Sequence, residues 1–358
     1  MDLSKKLALI SQVGEEIITE EDLKNVLQEK SNPIAYDGFE PSGNPHIAQG
    51  ILRAINVNKM TQTGVKFKML VADWHAWANN KLGGDLEKIQ ITGKYLIEVW
   101  KACGMDLDNI EFTWVSDMVQ DDSYWKKVMQ IARNNTVKRI IRCSQIMGRS
   151  ESDSLSAAQI LYPCMQAADI FHLGVDICQL GMDQRKVNVL AREIAPKLGY
   201  KKPACVHHHM LMGLGEPPKG DVDALERQIS LKMSKSIPDS AIFMTDTEQE
   251  VVRKIKKAYC PEKEAFENPV LEYAKHIIFE KTDTLRIERP SKFGGDLEIK
   301  GYAELETAFV KGDLHPLDLK NAVAREINGL LAPVRKHFDK NAKARGLLEQ
   351  VKEFHVTR

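Results

Sequence analysis

Short apolar runs alternate with amphipathic stretches along the N-terminal half of the chain. Residues 34–39 and 65–72 have the β-branched and aromatic content of strands, and apolar residues at helical spacing separate them. Runs at 175–180 and 204–207 repeat this pattern around a second helical stretch. Strand, turn, helix and strand in this order predict a Rossmann-like α/β fold with a doubly wound parallel sheet, which binds ligands at the carboxyl ends of its strands.

Helices are predicted on both sides of this alternation. Residues 1–31 form a predicted helical extension, with Thr19 as the N-cap of its second helix. A helix at 84–103 and a strand at 111–115 precede a helix-rich stretch without strand character, and we interpret about 116–160 as a helical insertion between the two halves of the sheet. Beyond residue 250 the pattern becomes mainly helical.

The change of pattern predicts two domains. The first covers 1–227, residues 228–249 form a loop and linker rich in turn residues, and 250–358 form a mainly α-helical second domain. Within the second domain, 285–288 and 296–299 are short β-like interruptions, and a charged tail is expected from Asp339.

Bulk composition adds limits rather than a function. A length of 358 residues suits two domains, and 43% apolar with 28% charged residues is typical of a globular protein. Fifty basic and fifty acidic residues cancel, so net charge gives no sign of a nucleic-acid partner. We expect a cytoplasmic protein without a membrane span, because the first residues lack the order of a secretory signal. The six scattered cysteines contain no C-x-x-C pair, which predicts reduced thiols.

Candidate chemistry lies in two distant segments. Residues 232–236 read Lys-Met-Ser-Lys-Ser and place two ammonium groups and two hydroxyls in one short loop that can hold a polyphosphate. Residues 45–50 read Pro-His-Ile-Ala-Gln-Gly and follow a turn-rich stretch, so His46 and Gln49 lie near a helix N-terminus that favours anions. The alternative is a solvated basic loop and an ordinary helix start.

Together the two segments resemble the paired nucleotide-binding motifs of class I aminoacyl-tRNA synthetases. The resemblance implies that His46, Gln49, Lys232 and Lys235 stabilise the transferring phosphate of ATP. Gln49 stands where the family usually has a second histidine, and Ala48 where it has glycine; glutamine can still donate a hydrogen bond. The residues that the resemblance assigns to ATP binding also include Ser42, Asp183, Met233, Ser234 and Ser236.

Further segments resemble the tyrosyl-tRNA synthetases of the archaeal and eukaryotic cytoplasmic type, over nearly the whole chain. They are residues 36–43, 72–76, 162–169, 181–186, 256–260, 292–297 and 315–323. The resemblance implies activation of L-tyrosine by ATP, transfer of tyrosine to the 3′ end of tRNA(Tyr), and a homodimer. It also implies that Mg²⁺ arrives with ATP and that the protein itself binds no metal.

The same resemblance assigns roles to single residues. Tyr36 and Asp169 would bind the phenol of tyrosine, and Gly38 would let the substrate lie against the backbone. The residues expected at the ammonium group or along the same cleft are Tyr162, Gln166, Gln184, Glu40 and Asp73. For tRNA, Arg185 would meet the acceptor end, and Phe293 and Asp318 the first anticodon base. The alternative for these last two is a core phenylalanine and a helix N-cap.

Different functions remain open at this point. A tryptophanyl-tRNA synthetase shares the fold, but an indole has one N–H and does not need both Tyr36 and Asp169. The sequence is also compatible with a synthetase-like RNA-binding protein without catalysis, and with a nucleotidyltransferase that does not use tRNA. The run His207-His208-His209 suggests a metal site, but successive strand residues point to opposite faces, so we interpret it as a strand end with ordinary histidines.

Overall fold

The computed structural model describes residues 1–148, 154–218, 227, 231, 233 and 237–354, apart from the side chains of Gln145 and Phe293. Its main sheet has six strands in the order β1-β6-β5-β2-β3-β4, and only β1 runs antiparallel to its neighbour. The strands are β1 (Glu16–Ile18), β2 (Ile34–Phe39), β3 (Lys66–Val71), β4 (Ile110–Trp114), β5 (Ile177–Cys178) and β6 (Ala204–His207). The predicted doubly wound α/β fold is confirmed.

Helices cover the sheet. They are α1 (Leu3–Ser11), α2 (Glu20–Glu29), α3 (Arg53–Gln62), α4 (Asp73–Ala78), α5 (Leu86–Ala102), α6 (Val115–Met118), α7 (Asp122–Arg133), α8 (Val137–Ile141), α9 (Ala157–His172) and α10 (Arg185–Ile194). The chain winds outward from β2 in both directions, through β3 and β4 on one side and β5 and β6 on the other. The order therefore reverses between β2 and β5, which is where such sheets bind ligands.

The N-terminal extension is not entirely helical as predicted. Thr19 caps α2 through its hydroxyl, as expected, but the residues before it form β1, which pairs antiparallel with β6. Two β-branched residues, Ile17 and Ile18, suit a strand, and β6 offers them an unpaired edge. Helical spacing in the flanking residues concealed this strand, because a short edge strand depends on its partner.

Two further boundaries differ from the prediction. The strand expected at 175–180 has ladder pairing only over β5, and the helix expected at His46 begins with a π-helical turn, Ala48–Leu52, that continues into α3. The apolar face predicted for that helix, Ile47, Ile51, Ala54 and Ile55, is buried as expected. No strand occurs among the described residues of the predicted insertion, where α7 and α8 lie.

The C-terminal part is mainly helical and includes one small hairpin. Its strands β7 (Thr284–Ile287) and β8 (Leu297–Lys300) pair antiparallel. The helices are α11 (Glu248–Lys257), α12 (Pro269–Tyr273), α13 (Tyr302–Lys311), α14 (Pro316–Lys340) and α15 (Ala342–Glu353), with a π-helical turn at Ala274–Ile278. The predicted charged tail is in fact α15. It packs on α5 and buries Ala344 and Val351, because its apolar residues recur at helical spacing.

One apolar cluster joins the two parts of the chain. It runs from Ile47 and Ile51 beside the sheet, through Ile242 and Met244, to the buried faces of α11 and α14. The predicted domain boundaries at 227 and 250 therefore stay predictions, since the core is continuous across them. No helix in the described ranges combines the length and the apolar content needed to cross a bilayer.

His209 links three separate elements just after β6. Its Nδ1 lies 3.2 Å from Glu15, which precedes β1, and its Nε2 lies 2.7 Å from Glu272 in α12. Its ring also stacks on His276 at 4.4 Å. Burial acts to lower the pKa of His209, but the hydrogen bonds to Glu15 and Glu272 outweigh it and raise the pKa to about 9. The imidazolium thus ties the N-terminal arm to the C-terminal part.

His209→Gln should remove a pH-dependent part of the stability. A folded-state pKa raised above the unfolded value gives stability that is complete below about pH 6.5 and lost as pH rises through about 9. We expect the unfolding free energy of wild type to exceed that of the variant by about 2 kcal/mol near pH 6, and the two values to converge above about pH 9. Urea denaturation across this range measures the difference, and a gap that stays constant with pH would contradict the proposed ion pairs.

Candidate active site

A cavity of about 680 Å³ opens at the carboxyl ends of β2 and β5. It brings together most of the residues expected in one site, namely Tyr36, Gly38, Glu40, Ser42, His46, Gln49, Tyr162, Gln166, Asp169, Asp183, Gln184 and Met233. Four other predicted residues, Lys232, Ser234, Lys235 and Ser236, lie outside the described residues. Met233 between them is buried and accepts a hydrogen bond from the hydroxyl of Tyr273 at 3.7 Å.

Asp169 forms the floor of the cavity together with two side chains that sequence reasoning missed. The hydroxyl of Tyr124 donates to Asp169 Oδ1 at 2.8 Å, and His75 Nε2 lies 3.1 Å from Oδ2. The His75 contact is an ion-pair contact without the alignment of a hydrogen bond. Burial acts to lower the pKa of His75, but the Asp169 charge outweighs it, so the pKa lies above its ordinary value. The floor therefore places a buried carboxyl group beside an imidazole whose protonated form it favours.

Tyr36 faces the same floor from β2. Its side chain is 1% exposed, and burial raises the pKa of its phenol well above the ordinary value, so the group is a neutral hydroxyl. That hydroxyl has no hydrogen-bond partner among the described residues. Buried polar groups almost always have partners, so this one indicates the place of a ligand atom.

Amide, hydroxyl and carboxylate groups lie near the turns of α9 that precede Asp169. Gln166 donates to Gln184 at 3.0 Å, and its own Oε1 has no partner in the described part of the chain. Burial and the nearby charge of Glu40 raise the pKa of the Tyr162 phenol, and the ring of Tyr162 meets His75 edge-on at 4.9 Å. Along the axis of α9, the backbone positions of Gln166 and Tyr162 are about 4.5 and 10 Å from that of Asp169, since they lie one and two turns away.

A buried ion pair beneath the cavity connects the strand ends. Arg53 at the start of α3 is 1% exposed and pairs with Asp37 of β2 at 2.6 Å. Its guanidinium also contacts Gln179 and lies 3.2 Å from His208 Nδ1, which Gln179 approaches to 2.9 Å. Burial raises the pKa of Asp37 to about 7, and the Arg53 charge opposes that rise. Burial and the same guanidinium lower the pKa of His208, so its neutral ring accepts these bonds.

Residues 45–50, the His46 segment, are held by the chain that follows the predicted phosphate loop at 232–236. The backbone N–H of Ile47 donates to Ile242 at 2.8 Å, and that of Met244 donates to Pro45 at 3.0 Å. On the other side, the indole N–H of Trp100 donates to the carbonyl of Gln49 at 2.9 Å. Backbone hydrogen bonds therefore join the segment around His46 to residues 242–244, which follow the predicted phosphate loop.

Asp73 is a correction to the sequence analysis, because it does not line the cavity. Its Oδ1 accepts from the backbone N–H groups of Trp74 and Ser116, both at 3.0 Å, and Oδ2 accepts from Gln90 at 3.2 Å. These bonds join the starts of α4 and α6 to α5. Its carboxylate, fully buried, thus has a structural role that its position after a strand could not reveal.

The three residues expected to meet tRNA also lie away from the cavity. Arg185 pairs with both oxygens of Glu16 at 2.9 Å on the sheet edge. Asp318 is half-buried in the first turn of α14, whose N-cap is His315, so the alternative of Asp318 as the cap is wrong. Phe293 ends a short 3₁₀ turn after β7.

The three successive histidines have three different environments. His207 contacts Asn188 and Glu16, at 2.9 and 2.8 Å, while His208 and His209 join the separate networks described above. Within the described ranges, no group of histidine, cysteine, aspartate or glutamate side chains is arranged to hold a metal ion. The alternating directions expected for strand residues account for this separation.

The site suits an elongated ligand with two polar ends. A hydroxyl donor and acceptor fits between Tyr36 and Asp169, and a cation fits the groups around Tyr162, Gln166 and Glu40. Asp183, Ser42 and the His46 segment lie on the remaining wall of the same cavity.

Comparison with known proteins agrees with this geometry. The family model described as "tRNA synthetases class I (W and Y)" matches residues 28–332. Tyrosine–tRNA ligase 1, cytoplasmic, of Arabidopsis thaliana is 53% identical over 100% of this chain and 90% of its own length.

Solved structures give the same result. The tyrosyl-tRNA synthetase of Pyrococcus horikoshii, complexed with L-tyrosine, has a TM-score of 0.91 and 39% identity over 98% of this chain and 100% of its own. That of Leishmania major, in complex with tyrosinol, has a TM-score of 0.89 and 46% identity. The match covers 98% of this chain and 52% of the Leishmania chain.

Gly50→Ala should destabilise the protein by about 1 to 3 kcal/mol, because overpacking a full core forces side chains and backbone to shift. A Cβ at Gly50 would clash with the sulfur of Met244, which is 0% exposed and cannot swing into solvent. Denaturant unfolding measures the change.

Gly346→Ala is the matched control. It also replaces a helical glycine, in α15, but no atom lies within 4 Å of the added Cβ. This variant should be as stable as wild type or up to about 1 kcal/mol more stable. Equal effects of the two substitutions would show that the close approach of Met244 does not constrain residue 50.

Proposed function

We propose that this chain, which belongs to the class I tRNA synthetases of the tryptophan and tyrosine group, is a tyrosine–tRNA ligase. The carboxylate of L-tyrosine attacks the α-phosphorus of ATP, which releases pyrophosphate and leaves tyrosyl-adenylate. A terminal hydroxyl of tRNA(Tyr) then attacks the tyrosyl carbonyl, which releases AMP. Both steps depend mainly on positioning and on positive charge near the phosphates.

The observation that supports tyrosine is the unpartnered hydroxyl of Tyr36 beside Asp169 in the cavity. A phenol can donate to Asp169 and accept from Tyr36 at once. Phenylalanine would leave the buried Tyr36 hydroxyl without a partner and Asp169 without a hydrogen bond from the substrate, a discrimination already known for tyrosyl-tRNA synthetases and not a result of this structure. An indole N–H would satisfy only the carboxylate.

The other end of tyrosine fits the polar groups along α9. The ammonium meets the free Oε1 of Gln166, with Tyr162 and Gln184 beside it, and Glu40 supplies negative charge nearby. Gly38 lies between the two ends, and a Cβ there would touch only Leu70, at 3.6 Å. The open side of Gly38 faces the cavity, which leaves room for the substrate ring.

ATP occupies the wall formed by Ser42, His46, Gln49 and Asp183. Asp183 receives the ribose, and His46 and Gln49 donate to phosphate oxygens. The loop residues Lys232, Met233, Ser234, Lys235 and Ser236 complete the phosphate site from the other side. Mg²⁺ enters as the ATP complex and offsets the charge of the phosphates, so no protein cage for the metal is required.

Recognition of tRNA(Tyr) uses residues outside the cavity. Arg185 at the sheet edge lies toward the acceptor end, and Phe293 and Asp318 in the C-terminal part read the first anticodon base by stacking and hydrogen bonding. The residues from 250 to 358 thus form the anticodon-binding domain.

The active form is a cytoplasmic homodimer. An exposed apolar surface supports the dimer: Trp77 is 45% exposed and Met129 is 61% exposed. Trp74 links them, since its ring lies 5.3 Å from Trp77 and 6.1 Å from Trp125, one turn before Met129. Such a patch, formed by α4 and by α7 of the helical insertion, suits a second copy of the chain. The named cytoplasmic ligase of Arabidopsis supports the compartment.

Pyrophosphate exchange into ATP, measured with each of the twenty amino acids, tests the activity. Tyrosine alone should support rapid exchange. Tyr36→Phe should lower kcat/KM for tyrosine by about tenfold, the value of one buried hydrogen bond to the substrate, and should weaken the preference over phenylalanine.

Tyr302→Phe is a matched control, because its hydroxyl bonds Glu306 at 2.9 Å, away from the cavity. It should exchange at the wild-type rate. A strong response to tryptophan or to another amino acid would overturn the substrate, and no exchange with any amino acid would leave a synthetase-like protein without catalysis.

Asp318→Ala should reduce charging of tRNA(Tyr) by about tenfold, within the range for one lost base contact, and should leave tyrosine activation unchanged. Asp339→Ala, an exposed aspartate on the same helix α14, serves as the control and should alter neither step. Comparison of aminoacylation with pyrophosphate exchange for both variants separates the two effects. Loss of both activities in Asp318→Ala would indicate a folding defect and contradict base recognition.

A further inference from the structure

Lys254 of α11 is a buried lysine that neither the catalytic nor the tRNA-binding residues include. Its side chain is 4% exposed, and its ammonium lies 2.6 Å from Asp246 Oδ2, whose own side chain is 9% exposed. The same ammonium donates to the carbonyl of Ala241 at 2.9 Å and lies 4.6 Å above the ring of Phe243. A lysine is rarely buried without strong partners, and here each contact falls on one short segment, residues 241–246.

That segment is folded tightly around the ammonium. Asp246 Oδ2 also accepts the backbone N–H of Phe243 at 2.9 Å, and the backbone N–H of Asp246 donates to the carbonyl of Phe243 at 3.1 Å. Lys254 therefore joins the beginning and the end of the turn. Without its charge, Asp246 would be left partly buried in a site where burial already raises its pKa.

The opposite side of the segment contacts the ATP wall, the side of the cavity formed by Ser42, His46, Gln49 and Asp183. Phe243 forms an isolated antiparallel bridge with His46, and the flanking hydrogen bonds join Ile47 to Ile242 and Met244 to Pro45. The backbone position of His46 is thus set by residues 242–244. In contrast, Tyr36 and Asp169 at the tyrosine floor belong to elements on the sheet and α9.

Helix α14 of the C-terminal part contacts the same segment. Arg335 donates from Nε to the carbonyl of Asp246 at 2.8 Å, and its Nη2 donates to Asn328 of the same helix at 2.6 Å. The long helix of the predicted anticodon-binding domain therefore contacts the same segment whose backbone pairs with His46.

We propose that Lys254 and Asp246 form a positioning pair for the ATP-dependent step, which holds residues 241–246 so that His46 meets the phosphates of ATP. The inference rests on the proposed function, since it assumes that His46 acts on ATP. Neither residue contacts the cavity itself, so the pair acts through Phe243 and its neighbours.

Lys254→Met in the full-length chain tests this pair by pyrophosphate exchange. We expect kcat/KM for ATP to fall by at least about tenfold, since small displacements of a positioning group are costly, while KM for tyrosine stays within about twofold of wild type. Lys256→Met, an exposed lysine on the same helix, is the matched control and should keep wild-type values. The thermal unfolding midpoint of each variant is recorded beside the kinetics.

Two further variants keep the test decisive if Lys254→Met does not fold. Lys254→Met/Asp246→Asn removes both buried charges together, and Arg335→Met removes a less buried contact to the same segment. Each should lower kcat/KM for ATP with little change in KM for tyrosine. Equal losses for ATP and tyrosine, or wild-type ATP kinetics in a folded variant, would overturn the positioning role. Inactive wild type would instead overturn the proposed function.

Discussion

The buried ion pair between Arg53 and Asp37 is the constraint on which the site depends. A guanidinium with 1% exposure must be surrounded by acceptors, because an unpaired charge at that depth would be too costly. Its partners come from the ends of β2, β5 and β6, and Arg53 itself begins the helix that follows the His46 segment. One side chain thus fixes the strand ends and the start of the helix after His46 relative to each other.

Above this pair, the cavity divides into two regions with different physical supports. The floor, with Tyr36 and Asp169, is built on a central strand and on α9, and Tyr124 and His75 contact the buried carboxyl group of Asp169. The side of the cavity that carries His46, where we propose that ATP binds, is held by backbone pairing with a segment that lies far along the chain. A floor built on the sheet and α9 suits selection of an amino acid. A wall that also depends on distant elements suits a chemical step that responds to the position of those elements.

The C-terminal part is bound to this wall rather than to the floor. The apolar cluster that contains Ile47 also contains Met244 and the buried face of α14, and α15 packs on α5. A protein that joins an amino acid to a nucleic acid needs contact between distant recognition surfaces. Continuity of the core gives such contact a physical route through packed side chains.

Local patterns in the sequence predicted the order of most strands and helices, and the resemblance of its motifs predicted the residue types at the site. Period and capping residues are local properties, so β2 and the Thr19 cap could be predicted, and Tyr162, Gln166 and Asp169 could be named from the motifs. Tertiary structure alone decided which surfaces meet. The strand β1 formed because β6 offered an edge, Asp73 became structural because Ser116 and Gln90 reached it, and His75 and Tyr124 came to Asp169 from other helices. Partners distant along the chain leave no periodic signal, and only folding brings their atoms together.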